Sequence, residues 1–313
     1  MRAAFIRTLV DVARNDERIF LIVGDLGFAV VEPFSQEFPD RFVNAGVAEQ
    51  NMTGIAAGLA MSGKVVFTYS IANFPTLRCL EQIRNDVCYH NADVKIVSVG
   101  AGLTYGPLGM THHGTEDLAV MRALPNMTVV APGDIREAEL ATKEIIERPG
   151  PCYFRLTKED RPVTPQTAYD FKIGKAVLVR DGNDATLIAT GGILYNTVQA
   201  AERLEEKGIR TRVLSMHTLK PLDVGAVLAA ARETGAIITV EEHSIIGGLG
   251  GAVAEVLAES CGSSFVFKRI GINDLFCPEV GSQDYLRKFH SLSVESIIET
   301  VQSLLRKRKA VSV

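Results

Sequence analysis

The run N-A-G-V-A-E-Q-N-M at 44–52 places one carboxylate, Glu49, at the start of a helix. A short strand, R-F-V, precedes it, and a face of small residues follows: Gly54, Ala56, Ala57, Gly58 and Ala60. Glu49 has a plain reading as a first-turn acid favoured by the helix dipole. A carboxyl group at such a junction can also share a proton with a ligand, the ordinary acid–base role of Glu. Arg78 and Gln82 fall on one helix face, a turn apart, while His112 and His113 sit side by side in a glycine-rich loop. A lone loop histidine is usually inert; where it works, it does so by hydrogen bonding or proton transfer. The G-G-L-G-G run at 247–251 lacks the spacing of a dinucleotide loop and reads as close helix packing. D-G-N at 181–183 reads as a turn.

The elements that must position these groups alternate along the chain. Strands are expected at 19–23, 64–69, 94–99, 127–131 and 151–155, with helices near 3–14, 48–61, 75–90, 116–123 and 134–147. Asp134 is a good helix N-cap, with Glu137 three residues on. The polar stretch 157–170, with its two prolines, reads as a linker. A second series follows: strands at 175–180, 185–191, 211–216, 236–242 and 265–270, and helices at 193–207, 223–233, 249–260 and 293–306. Continuous apolar strands separated by helices mean parallel sheets covered on both faces. The expected fold is therefore α/β, with two doubly wound domains over 1–156 and 171–313.

Composition sets bounds. The chain has 313 residues, 47% of them hydrophobic and 22% charged, which is ordinary for a globular protein. A net charge of −4 gives no sign of nucleic-acid binding, and the short basic run at 306–309 reads as a solvated tail. No apolar stretch approaches the roughly 20 residues of a membrane span. The N-terminus reads as an amphipathic helix with internal charges rather than a signal peptide. Five scattered cysteines (79, 88, 152, 261, 277) without C-x-x-C spacing fit a reduced cytoplasm and indicate no metal site.

The segment around Glu49 resembles the cofactor-activating helix of thiamine-diphosphate enzymes of the transketolase and deoxyxylulose-phosphate-synthase type. The likeness extends over nearly the whole chain. It includes Y-S-I-A-N-F-P-T-L-R-C-L-E-Q-I-R-N-D at 69–86, the loop and helix at 102–134, M-H-T-L-K-P-L-D at 216–223 and E-E-H-S-I-I-G-G-L-G at 241–250. The chain looks like the C-terminal half of transketolase: a pyrimidine-binding domain followed by the transketolase C-terminal domain. The resemblance implies that Glu49 hydrogen-bonds N1′ of the cofactor's aminopyrimidine, a site where the cofactor supplies the carbon chemistry and the protein supplies orientation. It implies that Phe74 stacks on that ring, that Arg78 and Gln82 lie close by, and that His112 contacts the donor near its reacting carbons, with His113 beside it. G-D-L-G at 24–27 resembles the family's turn, which implies inter-domain or inter-subunit contacts for Asp25 rather than chemistry.

What is missing shapes the rest. No G-D-G motif with a downstream Asn, the family's Mg²⁺ and diphosphate site, occurs in the first domain. The resemblance then implies the β subunit of a split enzyme, whose separate partner holds the diphosphate and Mg²⁺, in an α2β2 assembly. Four family positions depart: Gly100 replaces a histidine, Pro107-Leu108 a Glu-Asp pair, and Ala29 a serine. Arg2 and Arg155 are the expected remnants of the sugar-phosphate site. Losing groups that read a hydroxyl or phosphate removes discrimination for it. The expected reaction is two-carbon transfer from a ketose or 2-oxo acid donor to an aldehyde or ketone, with an unusual sugar among the candidates. The alternatives are an E1β subunit of a 2-oxo-acid dehydrogenase, a deoxyxylulose-phosphate-synthase-like carboligase using pyruvate, and a non-catalytic scaffold.

Overall fold

The structure is a computed structural model that describes residues 1–158, 161–165, 169–260, 262 and 264–311. Two α/β units follow one another. Strands β1 (Ile19–Val23), β2 (Phe42–Asn44), β3 (Val65–Ile71), β4 (Val94–Val99), β5 (Thr128–Val130) and β6 (Cys152–Leu156) form the first sheet, all parallel. Strands β7 (Val177–Arg180), β8 (Ala185–Thr190), β9 (Thr211–Ser215), β11 (Ala236–Ser244) and β12 (Val266–Ile272) form the second, in the order β12-β11-β8-β9-β7, with only β7 antiparallel. Strand β10 (Thr218–Lys220) leaves the second unit and closes the first sheet, giving the order β10-β5-β6-β4-β3-β1-β2.

Burial explains the layering. Strands β3, β4 and β6 are buried on both faces because helices cover both. Helices Arg2–Ala13 and Ile135–Glu147 pack on one face through Phe5, Leu9, Ala141 and Ile145 against Phe67 and Phe154. Helix Glu49–Met61 covers the other through Met52, Ala56 and Ala57, beside Ile83 and Val87. In the second unit Leu194, Ala200, Leu204, Ile297 and Val301 bury the helices Leu194–Glu205 and Val294–Val311.

Several sequence expectations change in detail. The helix expected at 75–90 is broken: a 3-10 turn at Leu77–Cys79, a short α-turn at Leu80–Gln82, then a π-helical stretch at Ile83–Cys88. Short helices at Glu32–Glu37 and Gln283–Phe289 are additional. Strand β10 escaped notice because it has three residues beside a proline; it pairs antiparallel with β5 at Thr218 and Val130. The backbone NH of Ala131 donates to His217 O at 2.7 Å and that of Gly191 to Ala131 O at 3.1 Å, so the two units are stitched at this edge.

Asp134 caps its helix as expected, accepting from the Glu137 NH at 2.9 Å. Its second oxygen accepts from the backbone NH of Val163 and Thr164 and from the Thr164 hydroxyl. The stretch read as a linker is therefore tied to the first unit at 163–164; residues 159–160 and 166–168 of it lie outside the described residues. In the basic run Arg306 and Lys307 are exposed as expected, while Arg308, also within the helix Val294–Val311, donates to Thr234 O. Cys79, Cys88, Cys152 and Cys277 are unpaired, and Cys261 lies outside the described residues. Among the described residues, no helix is long and apolar enough to cross a membrane, and no cluster of His, Cys, Asp or Glu could hold a metal ion.

Candidate active site

The end of β2 turns sharply into the helix that Glu49 begins. Asn44 staples this turn to the one after β1: its Oδ1 accepts from the NH of Asp25 and of Gly46, and its Nδ2 donates to Asp25 Oδ1 at 2.9 Å. Asp25 is exposed and serves this local contact. Glu49, at the first position of the helix, is 1% exposed. Its Oε1 accepts from Ser70 Oγ at 3.3 Å and its Oε2 from Arg78 Nη1 at 2.6 Å. Opposite stands Gly24, where a Cβ would lie 3.3 Å from the Glu49 carboxylate.

Phe74 follows in the turn after β3, half-buried, with the Arg78 guanidinium 4.5 Å over its ring. His112 meets the same ring edge-on at 5.3 Å, and its Nδ1 pairs with Thr111 Oγ1 at 3.0 Å. His113 is buried; burial first of all lowers its pKa, so it is neutral at pH 7. Its Nε2 approaches Gly106 O while its Nδ1 has no partner, and its carbonyl accepts from Asn73 Nδ2 at 2.8 Å. Phe74, Arg78, His113, Met110, Phe276 and Cys277 line a cavity of about 530 Å³, so both units contribute to its wall. Gln82, one turn past Arg78, keeps a buried, unmatched Oε1.

Arg155, expected at the sugar-phosphate site, is buried and paired within the chain. It lies in β6 with its side chain 1% exposed, and its Nε and Nη2 are bound to Asp117 at 2.7 and 3.1 Å. The Nη2 also donates to Gly114 O and to Glu242 O, across to the second unit. Burial would push the Asp117 carboxyl up, but Arg155 and His243 hold it below the usual range. Arg155 thus ties Asp117, Gly114 and Glu242 together. The cation beside Arg2 is instead Lys158, three residues on, whose Nζ lies 4.4 Å over the Tyr105 ring. The Arg2 charge acts on the Tyr69 and Tyr105 hydroxyls, pulling both downward against the upward push of burial. The Lys158 ammonium is held below the ordinary lysine value, first by burial and then by Arg2. An exposed ammonium beside a guanidinium makes a ready site for an anion.

Sequence reasoning missed Ser70, Asn73, Tyr105 and Lys158. Ser70 and Asn73 carried a signal in flanking the Phe74 segment. The position of Lys158, just past the end of a core strand, was the signal for it.

The donor set fits the aminopyrimidine of thiamine diphosphate: a buried carboxylate for a ring nitrogen, an aromatic wall, and bare backbone at Gly24 opposite. Residues 1–163 match the family model of the transketolase pyrimidine binding domain, and residues 174–297 that of the transketolase C-terminal domain. The chain belongs to the transketolase family. It is 39% identical to a 6-deoxy-6-sulfo-D-fructose transketolase subunit, SqwH, of Clostridium sp., covering 98% of this chain and 95% of that one. It is 41% identical to an apulose-4-phosphate transketolase subunit of Phocaeicola vulgatus, covering 98% and 97%. A solved structure described as a split gene transketolase, inactive beta4 tetramer, superposes with a TM-score of 0.87 at 37% identity, covering 97% of both chains. The chain thus carries the pyrimidine binding domain and the C-terminal domain of the transketolase family.

Proposed function

We propose that the chain transfers a two-carbon unit from a ketose or 2-oxo acid donor to an aldehyde or ketone acceptor, using thiamine diphosphate. The carrying observation is the buried Glu49 carboxylate set between Gly24 and the Phe74 wall. When bound, the cofactor supplies the nucleophilic carbon and the electron sink. Glu49 holds the proton at N1′, Phe74 stacks on the aminopyrimidine and excludes water, and Arg78 and Gln82 border that ring. His112, oriented through Nδ1 by Thr111, offers Nε2 to a donor oxygen, with neutral His113 beside it. Arg2 and Lys158 hold the anionic end of a sugar.

A separate N-terminal chain with a G-D-G motif and a downstream Asn completes the site, holding the diphosphate and Mg²⁺ in an α2β2 assembly. In this chain the pyrimidine-binding domain occupies 1–156 and the C-terminal domain 171–313, joined by the 157–170 linker. The relatives named as subunits support this division, as does the inactive all-β tetramer. The unpaired cysteines fit a reducing cytoplasm. Gly100, Pro107-Leu108 and Ala29, together with relatives named for 6-deoxy-6-sulfo-D-fructose and apulose 4-phosphate, support an unusual anionic sugar as substrate.

A second reading has one observation in its favour. The chain is 36% identical to the 1-deoxy-D-xylulose-5-phosphate synthase of Desulforudis audaxviator, covering 97% of this chain and 48% of that protein. Coexpression with the reading frame that encodes the diphosphate half, followed by steady-state assays, separates the two. The expected result is two-carbon transfer from an anionic ketose and little turnover with xylulose 5-phosphate and ribose 5-phosphate. Full turnover of that standard pair overturns the altered-substrate reading. Turnover with pyruvate alone as donor favours the synthase-like reading.

A further inference from the structure

Arg78 makes two contacts that a flat nitrogen heterocycle would make in the same place. Its Nη1 donates to Glu49 Oε2 at 2.6 Å, and its guanidinium carbon lies 4.5 Å over the centre of the Phe74 ring. A guanidinium is planar, carries N–H donors along its edge and stacks on aromatic faces. An aminopyrimidine is likewise planar, presents an N–H to a carboxylate and stacks on an aromatic ring. Arg78 also walls the cavity, while the carboxylate behind it is 1% exposed.

We propose that Arg78 is a positioning residue that acts as a built-in surrogate for the aminopyrimidine, holding the Glu49 carboxylate and the Phe74 face until the cofactor displaces it. This rests on the reading of Glu49 as the carboxylate that meets N1′. Charge acts in the same direction: a buried carboxylate left alone is costly, and Arg78 is the cation that meets it. Displacement is feasible because the Arg78 side chain is 43% exposed and Leu77 beside it is also open to solvent. The backbone stays put, since Gln50 Nε2 donates to Arg78 O at 3.1 Å and anchors the turn to the Glu49 helix. Only the side chain has to swing.

The consequence is a cofactor affinity set by competition. Removing the surrogate abolishes the competitor and leaves Glu49 Oε2 without its Arg78 partner, beside an Oε1 that still accepts from Ser70, so binding tightens. The test measures thiamine diphosphate binding, with Mg²⁺ present, to the coexpressed two-chain complex by calorimetry and stopped-flow fluorescence. For Arg78→Ala and Arg78→Gln, the expected result is a Kd about five-fold lower and a faster association rate. Arg78→Lys, which keeps the charge but stacks poorly, falls between these and the parent. An unchanged or higher Kd in both neutral variants overturns the surrogate role, because a residue that merely supports the site or touches bound cofactor gives no gain. Glu49→Gln is the control: if it leaves the Kd unaltered, the reading of Glu49 itself fails; if it weakens binding while the Arg78 variants gain nothing, only the surrogate proposal falls.

Discussion

The ring of Tyr105 lies where a side chain at position 100 would stand: a Cβ on Gly100 would come within 2.2 Å of two of its ring carbons. Gly100 also has φ +93, a conformation that an L side chain enters at a cost. The departure at position 100 is therefore half of a pair. The imidazole expected there is replaced by bare backbone, and Tyr105 fills the space, carrying Lys158 on its face. Gly100→Ala is expected to destabilise the protein by about 2 kcal/mol through backbone strain and the displaced ring. Denaturant titration checks this, and an unshifted midpoint would show that the loop moves aside freely.

Glu49→Gln is expected to leave the fold intact while lowering kcat/KM in the two-chain complex by about 10³-fold, since an amide cannot share the ring proton. The change keeps the volume, and the Arg78 that loses its partner already reaches solvent. Circular dichroism with steady-state kinetics measures both halves of the claim. Parent-like turnover would return Glu49 to the role of a helix-start acid.

Lys158→Ala is expected to raise KM for a phosphorylated or sulfonated sugar by about ten-fold, with a much smaller effect on kcat. Arg2→Ala should do the same. A neutral sugar analogue gains nothing from either cation and should be used equally well by parent and variants. Equal losses with charged and neutral sugars would mean that these side chains support the fold rather than the substrate.

Glu137 carries a pH signature. It is fully buried at the junction of the two units, where Oε2 accepts from the Gly133 NH at 2.7 Å and from Ser215 Oγ at 3.0 Å. Burial, together with nearby Asp134, pushes its pKa from 4.5 up to about 8, against the pull of the Gly133 NH. The folded state therefore binds this proton more tightly than the unfolded chain does. Its contribution is fully present below the unfolded value and is lost as pH rises towards about 8. Thermal melts should show stability falling from pH 5 to pH 8 in the parent, and a flatter profile in Glu137→Gln. Matching slopes would place the titration elsewhere.

The sequence showed the parallel sheets, the helix opening at Glu49 and the Asp134 cap, because each depends on neighbours within a few residues: apolar runs, a small-residue face, a capping pair. Strand β10 stayed hidden, since three residues beside a proline become a strand only when another strand offers its edge. Asp134 was legible as a cap, but its hold on Val163 and Thr164 was not, because that bond spans a long loop. The basic residues show the same division most clearly. Arg155 and Lys158 are both cations near one strand end; the sequence reading took Arg155, with Arg2, as the sugar-phosphate remnant and did not weigh Lys158. Tertiary structure separates the two: Arg155 still belongs to the strand and turns into the junction towards Asp117, whereas Lys158 lies beyond the strand, beside Tyr105 and Arg2. Local pattern chooses the elements, but the direction of a long side chain depends on which partners packing brings within reach, and for a buried charge the cost of having none settles the choice.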